Sequence, residues 1–294
     1  MERRTFLSST LALAVCTACT SRQPELTVGS KNFTEQLILG EMLKQYLSSV
    51  CRMPVESRFY LAGTYICQQA LLAGRIDTYV EYTGTALAAI LKENYSGDPH
   101  SVYEHVKEEY RRRFDIDVMP PLGFNNSFAM VMRGGDARRM GVTKLSQLAR
   151  FAPALRLGVG YEFLERQDGY KGLVGTYDLH FAEAPRVMDL GLLYRALENH
   201  AVDIVAGNNT DGLIAALGLV VLEDDKNYFP PYDAVPMVRP ALFQRCPQAK
   251  AAFQRLGGRI SADAMRAVNY AVDGEKKGAG DVAREFLIGQ KLIA

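Results

Sequence analysis

Residues that could make or break bonds are thinly spread in this 294-residue chain. The four histidines, His100, His105, His180 and His200, have no metal-ligand spacing to one another or to a cysteine pair, and the only C-x-x-C is Cys16 to Cys19. No zinc site, and no other metal site, is expected. There is no G-x-S-x-G elbow, no G-x-x-x-x-G-K-[ST] loop and no H-E-x-x-H. Gly158-Val159-Gly160 lacks the third glycine of a dinucleotide fingerprint. Cys67 and Glu81 could serve as nucleophile or acid/base, but neither has an evident partner in the sequence. Asp211 and the run Glu223-Asp224-Asp225 read as caps and a solvated turn rather than as metal ligands. The expectation is a protein without catalytic residues or cofactor.

Composition narrows the class further. Lys plus Arg at 34 against Asp plus Glu at 33 gives no single-sign field to attract a phosphate backbone, so no nucleic-acid role is expected. With 48% hydrophobic residues the chain can build two cores, and no apolar run reaches the ~18 residues of a membrane span. Residues 1–21, MERRTFLSSTLALAVCTACTS, have the layout of an export signal. Arg3-Arg4 resembles a twin-arginine signal, with two ordinary charges as the plainer reading. Thr17-Ala18-Cys19 resembles a lipoprotein processing site, which would lipidate Cys19, although Cys16 stands where leucine is usual. Simple cleavage is the alternative. Either way Cys51, Cys67 and Cys246 remain, enough for one bridge and one free thiol or for three buried thiols. The sequence leaves that choice open.

The elements alternate. Leu26 to Ser30 reads as a strand, and the following FTEQLILGEMLKQYLSSV as an amphipathic helix, with Leu39, Met42, Leu43, Tyr46 and Leu47 on one face. Asn32 or Thr34 could cap it, which would set the Ser30-to-Phe33 loop at a positive helix end. PVESRFYL, TYICQQALLAGR and DTYVEYT continue as strand, helix and strand. Helical patterns follow at Val102 to Arg113, Val187 to His200, Gln248 to Leu256, Ser261 to Tyr270 and Ala279 to Leu287. Strands are expected at Leu155 to Val159 and Val202 to Ala206. Two α/β units without a linker suggest lobes joined by short crossings, with a ligand cleft between them.

Six segments then carry a resemblance: VGSKNFTEQLILGEML from Val28, DTYVEYTGT from Asp77, GFNNSFAMVMR from Gly123, YEFLERQDGYKGL from Tyr161, NNTDGLIAALGLVVLEDDK from Asn208 and PPYDAVPMVR from Pro230. Together they are similar to the substrate-binding proteins of ABC importers for glycine betaine, carnitine, choline and related quaternary amines. The resemblance implies an α/β, two-lobed periplasmic-binding-protein fold of type II. Lobe one would comprise 24–126 plus 235–294, and lobe two 127–234. It also implies a monomer outside the cytoplasm, in the periplasm or lipid-anchored at the cell-envelope surface, delivering its ligand to a membrane permease and its ATPase.

The same resemblance assigns the site. An aromatic box would hold the trimethylammonium head by cation–π attraction, about 0.5 to 2 kcal/mol per face, because that head offers no hydrogen bond. Tyr82 and Tyr232 match two box positions, and Phe128 stands where a third tyrosine is common. Asn208 stands where a fourth tyrosine is usual, so the box is expected to be incomplete. Lys31, Thr85 and Arg166 would take a carboxylate, and having both cations favours a zwitterion over choline. Asn126 and Gln36 are further pocket candidates. On their own, Tyr82 and Phe128 would read as core residues, Tyr232 as packing on a turn, Arg166 as paired with Asp168, and Asn208 as a helix cap. Rival functions are an enzyme or a signalling sensor built on the same fold.

Overall fold

The computed structural model describes residues 26–93 and 98–294. The export-signal reading of residues 1–21, including lipidation of Cys19, lies outside them.

The described residues form two five-stranded sheets. The first holds β1 (Leu26–Gly29), β2 (Val55–Arg58), β3 (Thr78–Tyr82), β4 (Asp117–Val118) and β10 (Ala234–Val238), in the order β2-β1-β3-β10-β4. The second holds β5 (Phe128–Arg133), β6 (Leu157–Val159), β7 (Arg186–Val187), β8 (Ile204–Asn208) and β9 (Leu219–Val221), in the order β7-β6-β8-β5-β9. The two orders follow one scheme. Three parallel strands run second, first, third, and an antiparallel strand that directly follows a chain crossing, β10 in one sheet and β5 in the other, closes on the third. We call the units around the two sheets lobe one and lobe two.

The chain crosses between the sheets after Leu122 and again before Ala234, and the crossings pair with each other. Asn126 N–H donates to Tyr232 C=O at 2.9 Å, and Asn125 bridges Asp233. Parallel β-α-β connections place the carboxyl ends of β1, β3, β6 and β8 toward the junction of the lobes, where ligands of open α/β sheets bind.

Helix α1 (Thr34–Cys51) buries Ile38, Leu39, Met42, Leu43, Tyr46 and Leu47, the stripe that its periodicity implies, at about 1.5 to 3 kcal/mol for each large side chain. It packs on β1, β2 and the C-terminal helices Gln248–Leu256, Ala262–Asp273 and Ala279–Gly289, so lobe one's core draws on both ends of the chain. A Cys51–Cys246 disulfide ties those ends together across 195 residues, and Cys67 is a buried free thiol. Of the two arrangements the sequence left open, the chain adopts one bridge and one thiol.

Two local expectations are corrected. Neither Asn32 nor Thr34 caps α1. The N-cap position falls on Phe33, which has no side-chain bond to offer, and the Thr34 hydroxyl donates instead to Asp273 Oδ1 at 2.6 Å. The helix expected from Val187 is also shorter. Val187 is drawn into β7 beside β6, and Asp189 accepts from Gly191 N–H at 2.9 Å. Only Leu193–Glu198 is α-helical, after a single 3₁₀ turn at Leu190–Leu192.

Candidate functional site

A cavity of about 340 Å³ lies between the lobes. Lys31, Tyr82 and Thr85 reach it from lobe one, Asn126 and Tyr232 from the crossings, and Phe128, Arg166 and Asn208 from lobe two. Eight of the nine residues assigned from sequence therefore meet in one place. The ninth, Gln36, is not in the wall. It stands behind Tyr82, donating from Nε2 to the tyrosine hydroxyl at 3.0 Å.

Each wall residue is placed by an identifiable feature. Lys31 follows β1 directly, and Tyr82 ends β3 and precedes the Thr83-Gly84-Thr85 turn. That turn is fastened to the second crossing: Thr83 N–H donates to Asp233 C=O, and its hydroxyl to Pro231 C=O, both at 3.0 Å. Gly84 is required there because a Cβ would stand 2.7 Å from Pro231 O and 2.8 Å from the Tyr232 ring. Phe128 opens β5 and pairs in register with Asn208 at the end of β8, so these two face the cavity side by side. The Phe128 and Tyr232 rings meet edge to face, with centroids 5.8 Å apart.

The cations are already partnered. Lys31 Nζ is ion-paired with Glu81, and Arg166 grips Asp168 bidentately through Nε and Nη2, with the Nε contact at 2.8 Å. They also use the aromatic faces. Lys31 Nζ lies 4.9 Å from the Tyr82 ring centroid, and the Arg166 guanidinium lies 4.7 Å from that of Phe128 and 5.9 Å from that of Tyr232. Arg166 thus makes the local pair with Asp168 and faces the cavity as well; the two readings are not exclusive. A lysine offers three N–H donors and an arginine five, so both keep donors for an incoming anion.

Behind Tyr82 stands a group the sequence reading missed. Glu35, fully buried in the first turn of α1, accepts from the Tyr82 hydroxyl (2.6 Å), Asn126 Nδ2 (2.8 Å), the Thr210 hydroxyl (2.6 Å) and Asn269 Nδ2 (3.1 Å). Burial raises its pKa and the four donors oppose the rise. Thr210 belongs to lobe two and the other three donors to lobe one and the first crossing, so this carboxylate joins the lobes behind the cavity. Glu81, read from sequence only as a candidate acid or base, and Asp168 were not placed in the binding site, and neither were Phe33, whose ring stacks on Tyr82 at 6.4 Å, and Glu162. Asp168 was visible as a neighbour of Arg166. No sequence signal brings Glu35 to Asn269, 234 residues away.

Other polar groups have structural duties. Asp211 accepts from Asn208 N–H at 2.9 Å and from the Tyr194 hydroxyl, so Asp211 supports the turn after β8 while Asn208 lies in the wall. Asp224 accepts from Tyr228 N–H and Phe229 N–H, as a turn residue would. Among the described residues no group of three or more His, Cys, Asp or Glu could hold a metal ion.

Comparison with known proteins gives a consistent result. Residues 24–289 match the family described as the substrate binding domain of the ABC-type glycine betaine transport system. The chain is 33% identical over 286 residues to the carnitine transport binding protein OpuCC of Listeria monocytogenes, covering 96% of this chain and 92% of that one. It is 34% identical over 263 residues to the ergothioneine transport permease/ergothioneine binding protein EgtU of Helicobacter pylori, covering 89% of this chain and 47% of that longer protein. A crystal structure of a glycine betaine/carnitine/choline ABC transporter protein superposes with a TM-score of 0.74 at 31% identity, over 91% of this chain and 99% of the other.

Proposed function

The chain belongs to the family of substrate-binding domains of ABC-type glycine betaine transport systems, and from that premise we propose that its interlobe cavity captures a methylated ammonium zwitterion such as glycine betaine or carnitine. The observation that carries this reading is the convergence of Tyr82, Phe128 and Tyr232 with Lys31 and Arg166 on one cavity. The rings receive a cation that cannot hydrogen-bond, and Lys31, Thr85 and Arg166 receive the carboxylate. Asn126 and Gln36 act on Tyr82 and its surroundings rather than on the cation. No step of covalent chemistry is assigned to the protein.

The lobes in this reading run over 24–126 plus 235–294 and over 127–234, with the paired crossings at Asn125–Ser127 and Tyr232–Asp233 as the hinge. The receptor works as a monomer that hands its ligand to a permease driven by an ATPase. The Cys51–Cys246 bridge supports an oxidising compartment outside the cytoplasm, with Cys19 as the site of a lipid tether.

A second reading is favoured by Asn208. An amide in place of a ring removes one cation–π face, worth roughly five- to thirty-fold in affinity, and offers a hydrogen bond to a larger trimethylammonium ligand such as ergothioneine. Isothermal titration with glycine betaine, proline betaine, carnitine, choline and ergothioneine, with glycine and proline as unmethylated controls, tests both. Micromolar binding of a methylated zwitterion with silent controls is expected. Preference for ergothioneine selects the second reading, and silence across the panel refutes both.

A further inference from the structure

We propose that Glu162 is a latch that holds the two lobes together, seated across the cleft on Gly63 at the amino end of helix α2 (Thr64–Leu72). Glu162 stands in lobe two, just after β6, and its carboxylate packs against the space a side chain on Gly63 would take: a Cβ built there would clash with both carboxylate oxygens and the carbon between them. The N-cap position of α2 is Gly63, which has no side chain to satisfy the first-turn N–H groups. Glu162 brings to this end, from the other lobe, the group the cap lacks: its carboxylate packs against Gly63 with Oε1 buried and unpartnered, and places its charge at the positive end of a nine-residue helix.

The seat is built rather than incidental. The segment leading to it holds Tyr60 and Ala62 at left-handed φ of 61° and 70°, a conformation that costs energy for residues with a Cβ. It is bonded to the loop that carries Lys31: Asn32 N–H donates to Ala62 C=O and Leu61 N–H to Ser30 C=O, each at 3.0 Å. Tyr161 and Asp189 of lobe two line the cavity beside it. Lys31 and Arg166 face the Glu162 carboxylate from either lobe and oppose the rise in its pKa that burial causes. The latch therefore sits where cavity occupancy and lobe closure meet, because Glu162 lines the cavity and Gly63 does not.

The proposal rests on the two-lobed receptor reading but not on which amine is bound. Gly63→Ala tests it from outside the cavity wall, reaching the wall only through the displaced Glu162 carboxylate. The φ of Gly63 is −100°, which alanine adopts freely, and the added methyl displaces only the end of a flexible side chain, so the fold is retained. Gly63→Ala and Glu162→Ala, alone and together, would be compared in affinity for glycine betaine. Interlobe distance distributions would be measured between spin labels at Glu108→Cys and Lys171→Cys, with and without glycine betaine. Each single substitution is expected to weaken binding about 3- to 30-fold, the range of a charge at a helix end, and to shift distances toward the open form. Gly63→Ala should add nothing in the Glu162→Ala background. Wild-type affinity and distances in Gly63→Ala, or effects that multiply in the double variant, would overturn the latch. If glycine betaine does not bind at all, the ligand reading fails, while the ligand-free distances still decide on the latch.

Discussion

The two walls of the cavity are built differently. On the lobe-one side Lys31, Tyr82 and Thr85 are each at most 4% exposed, and the side chains of Lys31 and Tyr82 are bonded to buried neighbours, Glu81, Glu35 and Gln36. On the lobe-two side Phe163, Arg166 and Ala206 are comparably enclosed, whereas Glu162, Met188, Leu190 and Asn208 are half-buried, and Tyr161, Val187 and Asp189 are exposed. Lobe one also carries the disulfide and α1, packed against helices from the other end of the chain. A wall whose polar groups are already satisfied does not have to reorganise to receive a ligand, and the affinity lost to ordering is small. The wall that stays partly wet has more water to shed when a ligand enters. Asn208, which stands where the resemblance implies a fourth ring, is on that side.

The largest effect is expected from breaking lobe one's closure. Cys51→Ser opens a loop of 195 residues, for which chain entropy sets a ceiling of about 5 kcal/mol. Calorimetry should show the unfolding of lobe one lowered by about 10 °C. A melting profile unchanged under oxidising conditions would mean that packing around α1 holds the two chain ends without the bridge.

Next come the rings. Tyr82→Ala and Tyr232→Ala should each weaken glycine betaine binding by at least ~1 kcal/mol, about fivefold. Tyr82→Ala should be the worse of the two, because it also strips one of the four donors from the buried Glu35. Equal losses would indicate that the network behind Tyr82 does not contribute to the site, and unchanged affinity in both would remove the aromatic box.

The same contrast explains what could be read from the sequence. The wall residues, Phe128 and Asn208 among them, were legible because each lies in one of the short segments that carry the resemblance. The alternating elements were legible from periodicity, with the Gln248–Leu256 helix at its expected bounds. The supports were not. Glu35 gathers donors from positions 82, 126, 210 and 269, a coincidence that only the folded chain creates. The cap of α1 was misread because Asn32 and Thr34 have the right chemistry but are turned to other partners, the cavity and Asp273. Three cysteines without a spacing rule could not be paired, since the bridge joins segments that meet only through lobe one's split core. The resemblance pointed to residues that the fold brings to one cavity, and tertiary contacts decide what holds them.

A smaller effect is expected on the lobe-two wall. Asn208→Tyr adds a ring to the cavity wall beside Phe128 and should tighten glycine betaine severalfold, while weakening any ligand that uses the amide as a hydrogen-bond partner. Titration of the variant with glycine betaine and ergothioneine would show the two affinities moving in opposite directions. A loss for both would mean that the cavity has no room for the ring, making Asn208 a residue of shape rather than of recognition.

The weakest effect is a pH dependence at the junction of the walls. Glu35, Asp211 and Asp273 all have pKa values raised by burial, Asp211 to about 7, and Glu35 and Asp273 add to the rise at Asp211 by repulsion. A carboxyl group whose pKa is higher folded than unfolded binds its proton more tightly in the folded state. The stability it contributes is therefore complete below the unfolded value near 4 and is lost as pH rises through the folded value. Asp203 and Glu109, both lowered to about 2, complete their titration below this window and do not offset it. The melting temperature should fall as pH is raised from 5 to 8. Asp211→Asn, which can still accept from Asn208 N–H through its amide oxygen, should flatten that fall. A melting temperature that rises over the same range, or an unchanged slope in the variant, would place the repulsion elsewhere and leave the junction behind Asn208 as neutral as the lobe-one wall.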